Sequence, residues 1–546
     1  MKKILLIFMA FVGAGFVAAQ NNAANYTYNF QRALEAYQED DYDKALEYLG
    51  SEVSNHPSNG YAHTLAAMIY HENNREAAAL NCCVDALKYL KKSDDVFLSE
   101  VYSTMMNIYI NCKDTAEAIR CSELYLKASP RSALIASGQM YYVFEQYAQS
   151  ELQLLKAVKW NSKTQSAYGM LARTQLQLRK SNEALANAEK AIELDSTYTY
   201  GYVLKGQALY QLKRYPEAIH TAIRSIKQSI TSDAIELLND IADSVDYRMV
   251  LDSLQKYEKT EADNFLWPAL EGDIYDSYAL DYEAALQMYL RAIKINPMDQ
   301  IYKSVAFIYE FYIGDEEAAR QYYDKAIEKD STRAFNYIAK ASFCQDIGSL
   351  DESLSLLDNA QRLSPFAKNV YELRARNYRM SGDYRSALDE YTKAVLCDPE
   401  AISAHSGRAT MMSLTGDSVS ATAEWELIMK MCEGKGMTAC EYYLYHGQTD
   451  SVNALLEKEV ENEEKMIRPR ASEEYNIACM YCRAGNETEA LKWLRRSFEH
   501  HMRDFAHVLC DWDLVSLRTN PEFQALIAEY KEIQKKELAT LTVKAE

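Results

Sequence analysis

Residues 371–399 read YELRARNYRMSGDYRSALDEYTKAVLCDP. Tyr371, Ala375 and Tyr378 fall at helical spacing, Ser381-Gly382-Asp383 interrupts, and Tyr384, Ala387, Tyr391 and Ala394 resume that spacing up to Pro399. The stretch predicts two amphipathic helices around a short polar turn. Ala375 before the turn and Ala387 after it let the two helices approach closely, while Ala394 faces the next unit. Pro399 stops the second helix, because the residue before a proline is pushed out of the αR region. One such hairpin cannot bury its apolar face alone, so it requires a stack of neighbours.

Those neighbours are present. The small residue at Ala387 recurs at Ala45, Ala79, Ala118, Ser150, Ala184, Ala218, Ala285, Ala319, Ser353, Ala421 and Ala490. Most intervals are 34 residues; one of 39 precedes one of 32, and the gaps of 67 and 69 each hold two degenerate periods. Twelve residues after an anchor stand Pro57, Pro130, Pro297, Pro365 and Pro399, five of only nine prolines in the chain. Pro216 instead opens a second helix, where its missing N–H costs nothing.

This pattern resembles the tetratricopeptide repeat, a helix–turn–helix unit of 34 residues. The resemblance runs over roughly residues 26–500. It implies an all-α fold: an α-solenoid (superhelix) of about fourteen such repeats with a C-terminal capping helix. The expected layout is a signal peptide (1–19), a linker (20–25), a first array (26–228), a degenerate repeat or kink (229–263) and a second array (264–432). A degenerate repeat with a charged linker (433–470), a closing unit with cap (471–536) and a tail (537–546) follow. Tyr475 to Leu494, followed by Asp511-Trp512-Asp513-Leu514, Leu517-Arg518, Pro521, Phe523 and Leu526, is similar to the closing unit of many bacterial arrays. In the tail, Thr540 to Lys544 alternates like a strand.

Composition agrees with a helical chain. Of 546 residues only 18 are Gly and 9 Pro, too few for an all-β or low-complexity protein. Of the 42 tyrosines, against 15 phenylalanines, twelve from Tyr42 to Tyr391 occupy registered hairpin positions where a flat ring fills the space beside Ala or Gly. Lys2 and Lys3, the apolar Ile4 to Val17, and Val17-Ala18-Ala19 read as a cleavable export signal. No cysteine precedes Cys82, so the signal is not of the acylated type, and a periplasmic or secreted protein is expected. A net charge of −20 with no uncompensated basic cluster argues against nucleic acid as a partner. No integral membrane segment is expected after signal removal.

Catalytic signatures with a supporting context are absent, so the chain is read as non-enzymatic, with no catalytic residue, cofactor or metal. Cys479-x-x-Cys482 lacks a second pair at zinc-ligand spacing, and the closing-unit resemblance accounts for it as structure. Glu499, His500, His501 and His507 offer metal-ligand chemistry but fall in the polar bend into the cap, where exposed or capping roles are expected. The acids around Trp512 are absorbed by the same motif.

What remains is a binding surface. In the family that the pattern resembles, the first helix of each unit lines a concave groove. Carried over position by position, the candidates are Asn107, Gln139, Tyr142, Arg173, Tyr200, Gln207, Tyr210, Phe335, Arg376 and Arg379. Amides and guanidinium groups can pair with peptide backbone or carboxylate, and Tyr adds rigid area with a polar tip. The resemblance therefore implies a scaffold for protein or peptide partners. The alternative is the recognition arm of a larger hydrolase, with a protease-like domain beyond residue 546 or on a partner chain.

Overall fold

The computed structural model describes residues 27–466 and 470–545, with side chains through 539. The expected signal peptide and linker lie outside the described residues. Those described are helical throughout, without a strand, and fall into two compact units divided between Met249 and Val250. The first unit holds six helical hairpins, from Tyr28–Gln38 with Tyr42–Asn55 to Thr199–Gln211 with Tyr215–Gln228. The second holds seven, from the pair ending in Tyr282–Ile295 to Ala471–Arg483 with Glu487–Glu499, and then the closing helices. No described helix is long and apolar enough to cross a membrane.

Each of these thirteen hairpins turns on a single residue of positive φ. In the first unit these are Asp40, Asn74, Lys113, Glu145, Arg179 and Lys213, none of them glycine; in the second they are Leu280, Gly314, Gly348, Gly382, Gly416, Gly447 and Gly485. The left-handed residue reverses the chain, and in seven of the hairpins an Asp or Asn next to it caps the second helix. Asp383 accepts the Ser386 N–H at 3.1 Å, and Asp41, Asp114, Asp281, Asp315, Asp417 and Asn486 do the same three residues ahead. At the other end, His56, Ser129, Asn296, Ser364 and Asp398 leave the helical region before their prolines, at φ between −134° and −147°.

The anchors sit where the helices of a hairpin meet, and all are fully buried. Where Ser replaces Ala, the hydroxyl finds a carbonyl twelve residues earlier on the facing helix. Ser150 donates to Gly138 O at 2.7 Å and Ser353 to Ala341 O at 2.8 Å. Several glycines make room for rings: a Cβ on Gly272 would lie 2.6 Å from Cε1 of Tyr289, and one on Gly169 would lie 2.6 Å from the Tyr198 hydroxyl. The 39- and 32-residue intervals reflect helix length, since Asp95–Asn111 has 17 residues and Ala133–Val143 has 11.

One segment departs from the hairpin pattern, and one expectation is corrected. The degenerate repeat within 229–263 does not form a hairpin. Ser232–Ile241 passes through the π-helical Ala242–Asp246 directly into Tyr247–Thr260, because no residue there adopts positive φ and no glycine offers it. The tail is not a strand either, since the final helix Pro521–Ala545 carries through it. Its alternation is too short to outweigh continuation of an established helix.

Candidate functional site

In the first unit the candidates occupy successive first helices: Asn107 on Asp95–Asn111, Gln139 and Tyr142 on Ala133–Val143, Arg173 on Gln165–Gln177, and Tyr200, Gln207 and Tyr210 on Thr199–Gln211. All are half-buried. Register places equivalent positions of neighbouring repeats side by side. The Arg173 guanidinium lies 4.5 Å from the Tyr142 ring centre, and Gln177 donates to the Tyr142 hydroxyl at 3.4 Å. Burial raises the phenols of Tyr200 and Tyr147, and the Arg173 cation opposes the rise at both. Tyr198 packs edge-on to Tyr200. Arg173 is thus a cation set among tyrosines, and among the described residues no carboxylate pairs with it. Tyr210 differs, being tied to Ser244 Oγ at 2.6 Å. Tyr147, Gln177 and Tyr198 escaped the sequence reading because they lie off the first-helix register that defined the candidates: Gln177 by one position, Tyr198 just before its helix, and Tyr147 at the start of a second helix.

In the second unit Phe335 is 55% exposed, with the Lys303 ammonium 4.3 Å from its ring centre. Arg376 is exposed. Arg379 is half-buried; burial raises the carboxyl of Asp513, and the charges of Arg483 and, more weakly, Arg379 oppose the rise. Asp513 belongs to the closing segment, so Arg379 faces the chain's own C-terminal region.

That closing segment folds back onto first helices far upstream. The widened Ile308–Ile313 turn leaves carbonyls without helical donors, and the closing segment supplies them. Arg503 N–H reaches Phe311 O at 2.8 Å, and the Gln534 amide reaches Ile313 O at 3.1 Å. Arg503 itself is buried and forks onto Glu537 through two 3.0 Å bonds. Trp512 meets the Tyr384 ring edge-on at 6.4 Å. His507 is half-buried and paired on both ring nitrogens. Its Nδ1 lies 2.8 Å from Asp346 and its Nε2 3.5 Å from Asp511. Burial opposes its charge, but the bonds to Asp346 and Asp511 outweigh that and lift the imidazole to about 11. Asp511, held by His507 and Tyr475 against the cost of burial, falls to about 2. Burial pushes Asp504 up to about 6 and Glu310 well above the usual carboxylate range. His500 pairs separately with Glu474 at 2.6 Å. Cys479 lies 3.8 Å from Asp511 and Cys482 3.1 Å from Ser516, both as free thiols.

A family model described as tetratricopeptide repeat matches residues 30–81 and 170–234. The chain carries tetratricopeptide repeats. The TPR repeat-containing protein MJ1428 of Methanocaldococcus jannaschii is 22% identical over 433 residues, covering 76% of this chain and 70% of that one. Hsp70-Hsp90 organizing protein 2 of Arabidopsis thaliana is 30% identical over 104 residues, 19% of this chain and 18% of its own length. A solved tetratricopeptide repeat protein from Parabacteroides merdae covers 51% of this chain and 97% of its own, at 15% identity and a TM-score of 0.35. Tetratricopeptide-repeat proteins generally mediate protein–protein contacts.

Proposed function

We infer that this is an exported, non-catalytic tetratricopeptide-repeat scaffold that binds a protein or peptide partner along the first helices of its first unit. The observation that carries the reading is Arg173, stacked on Tyr142 beside Tyr200 and without a carboxylate of its own. A guanidinium held over a ring can still offer its N–H groups to a carboxylate or a peptide carbonyl, and the tyrosines around it add apolar area at little entropic cost. The repeat class supports a protein partner, as does the name of the Arabidopsis relative, which describes a protein that organises two others. Export is supported by the charged, apolar and small-residue sequence of 1–19.

Crosslinking in the native compartment tests this. A photoreactive residue at Gln139 is expected to capture a protein in the periplasmic or secreted fraction, whereas one at Glu183, on a second helix, captures none. No adduct at Gln139, or equal adducts at both positions, contradicts the reading.

A further inference from the structure

We propose that the junction between the closing segment and the helix Ala334–Asp346 binds a divalent metal ion of the Mn2+ class, through Asp346, Asp504 and His507. One donor atom from each of these residues lies within 4.8 Å of the other two. A cation in contact with all three at the usual ~2.0–2.3 Å would fit with only small side-chain movements. Three residues from two chain segments more than 150 apart converge here, so the arrangement is tertiary rather than a local run of acids.

A second observation concerns Asp504, which is only 5% exposed. One of its oxygens caps the closing helix by accepting the His507 N–H at 2.9 Å. The other, Oδ2, is buried without any hydrogen-bond partner. A buried carboxylate oxygen left unpaired is costly, and the two common remedies are a proton or a cation. Glu310, a further acid in the same unit, is 6% exposed and already accepts the Tyr323 hydroxyl at 2.6 Å. Asp511, on the far side of His507, accepts the Tyr475 hydroxyl at 2.6 Å. The unpaired oxygen of Asp504 is therefore not served by these neighbours. Asp346 and His507 keep 15% and 34% of their side-chain area exposed, which leaves an entry path from solvent. Two carboxylates and one imidazole form a hard-to-borderline donor set, suited to Mn2+ over soft thiophilic ions. On binding, Nδ1 gives its proton to solvent, its hydrogen bond to Asp346 breaks, and the freed lone pair and the Asp346 carboxylate both turn to the metal, while Nε2 keeps its proton toward Asp511.

Mn2+ is also the practical probe, because the eleven cysteines would compete for Zn2+. The full chain, stripped with chelator, is titrated with MnCl2 and read by equilibrium dialysis with elemental analysis and by loss of the free-ion EPR signal. One equivalent is expected to bind saturably in the micromolar range and to raise the melting temperature. Asp504→Asn preserves the cap, since Asn accepts the same N–H, but removes the unpaired anionic oxygen. It is expected to weaken Mn2+ binding at least tenfold with an unchanged circular dichroism spectrum. Should Asp504→Asn fail to fold, Asp346→Asn carries the same expectation. His500→Gln, bonded to Glu474 instead, is expected to bind as the parent does. Absence of stoichiometric binding at 100-fold excess over the protein, or equal binding by the Asp504 and Asp346 variants, overturns the proposal.

Discussion

The Nδ1 of His507 lies 2.8 Å from the carboxylate of Asp346, a residue 161 positions earlier. The contact fastens the closing segment to the end of a first helix, alongside the Arg503 and Gln534 bonds to Phe311 and Ile313. Removing Asp346 leaves the half-buried His507 with only its longer, 3.5 Å contact to Asp511. Asp346→Ala is therefore expected to cost roughly 1–3 kcal/mol, at the lower end of buried pairs because His507 keeps some solvent. Hydrogen exchange should quicken over 503–538 with little change before residue 249. Unchanged protection in the closing segment would show that the other contacts hold it alone.

The turn residues offer a second test. Leu280 adopts φ 53° and Gly382 φ 80° at equivalent points of their hairpins. A side chain in the left-handed region costs about 1 kcal/mol relative to glycine. Leu280→Gly should raise the urea midpoint and Gly382→Ala lower it, each by that order. Shifts of the opposite sign in either variant would mean that packing, not backbone conformation, dominates the turn.

Ring-for-glycine packing is open to direct measurement. A methyl at Gly272 would stand 2.6 Å from the Tyr289 ring, inside van der Waals contact. Gly272→Ala should destabilise the second unit by about 1–3 kcal/mol. Combined with Tyr289→Leu, the penalty should fall short of the sum of the two single changes. Strict additivity would place the strain elsewhere.

The second unit also carries carboxyls that resist ionisation. Burial, with the charge of Glu258 adding and Arg291 opposing, raises Glu271 to about 7; burial and the charge of Asp273 raise Asp276 to about 7. One oxygen of each is buried without a partner. The folded state therefore binds these protons more tightly than the unfolded chain does. Their stabilising contribution is complete below the unfolded carboxyl value near ~4 and is lost as pH rises through about 7. Thermal melts should show higher stability at pH 5 than at pH 8, and Asp276→Asn should flatten that slope. A slope that Asp276→Asn leaves unchanged would remove this group from the pH response.

The repeat was legible because its physics is local. Small residues at Ala375 and Ala387, the turn at Gly382-Asp383 and the stop at Pro399 each act within a few residues, and their recurrence exposed the period. The run through Ala242–Asp246 was legible only in part: the lost small-residue anchors mark 229–263 as a degenerate repeat or kink, but not as an uninterrupted helical run. The link between His507 and Asp346 was invisible for a different reason. Nothing in either local sequence records which distant carboxylate a capping histidine will meet. The Arg173 cluster lay between these cases: register named Tyr142, Arg173 and Tyr200, while Tyr147 and Tyr198 entered only through packing.

The most direct test of the scaffold reading is the affinity of the partner captured at Gln139 for two arginine variants. Arg173→Ala is expected to weaken it by about tenfold or more, the loss of a charge-assisted bond on a desolvated aromatic face. Arg376→Ala, on the exposed surface of the second unit, is expected to leave it within about twofold. Equal affinity for Arg173→Ala and the parent would contradict the assignment of the first unit as the partner-binding surface.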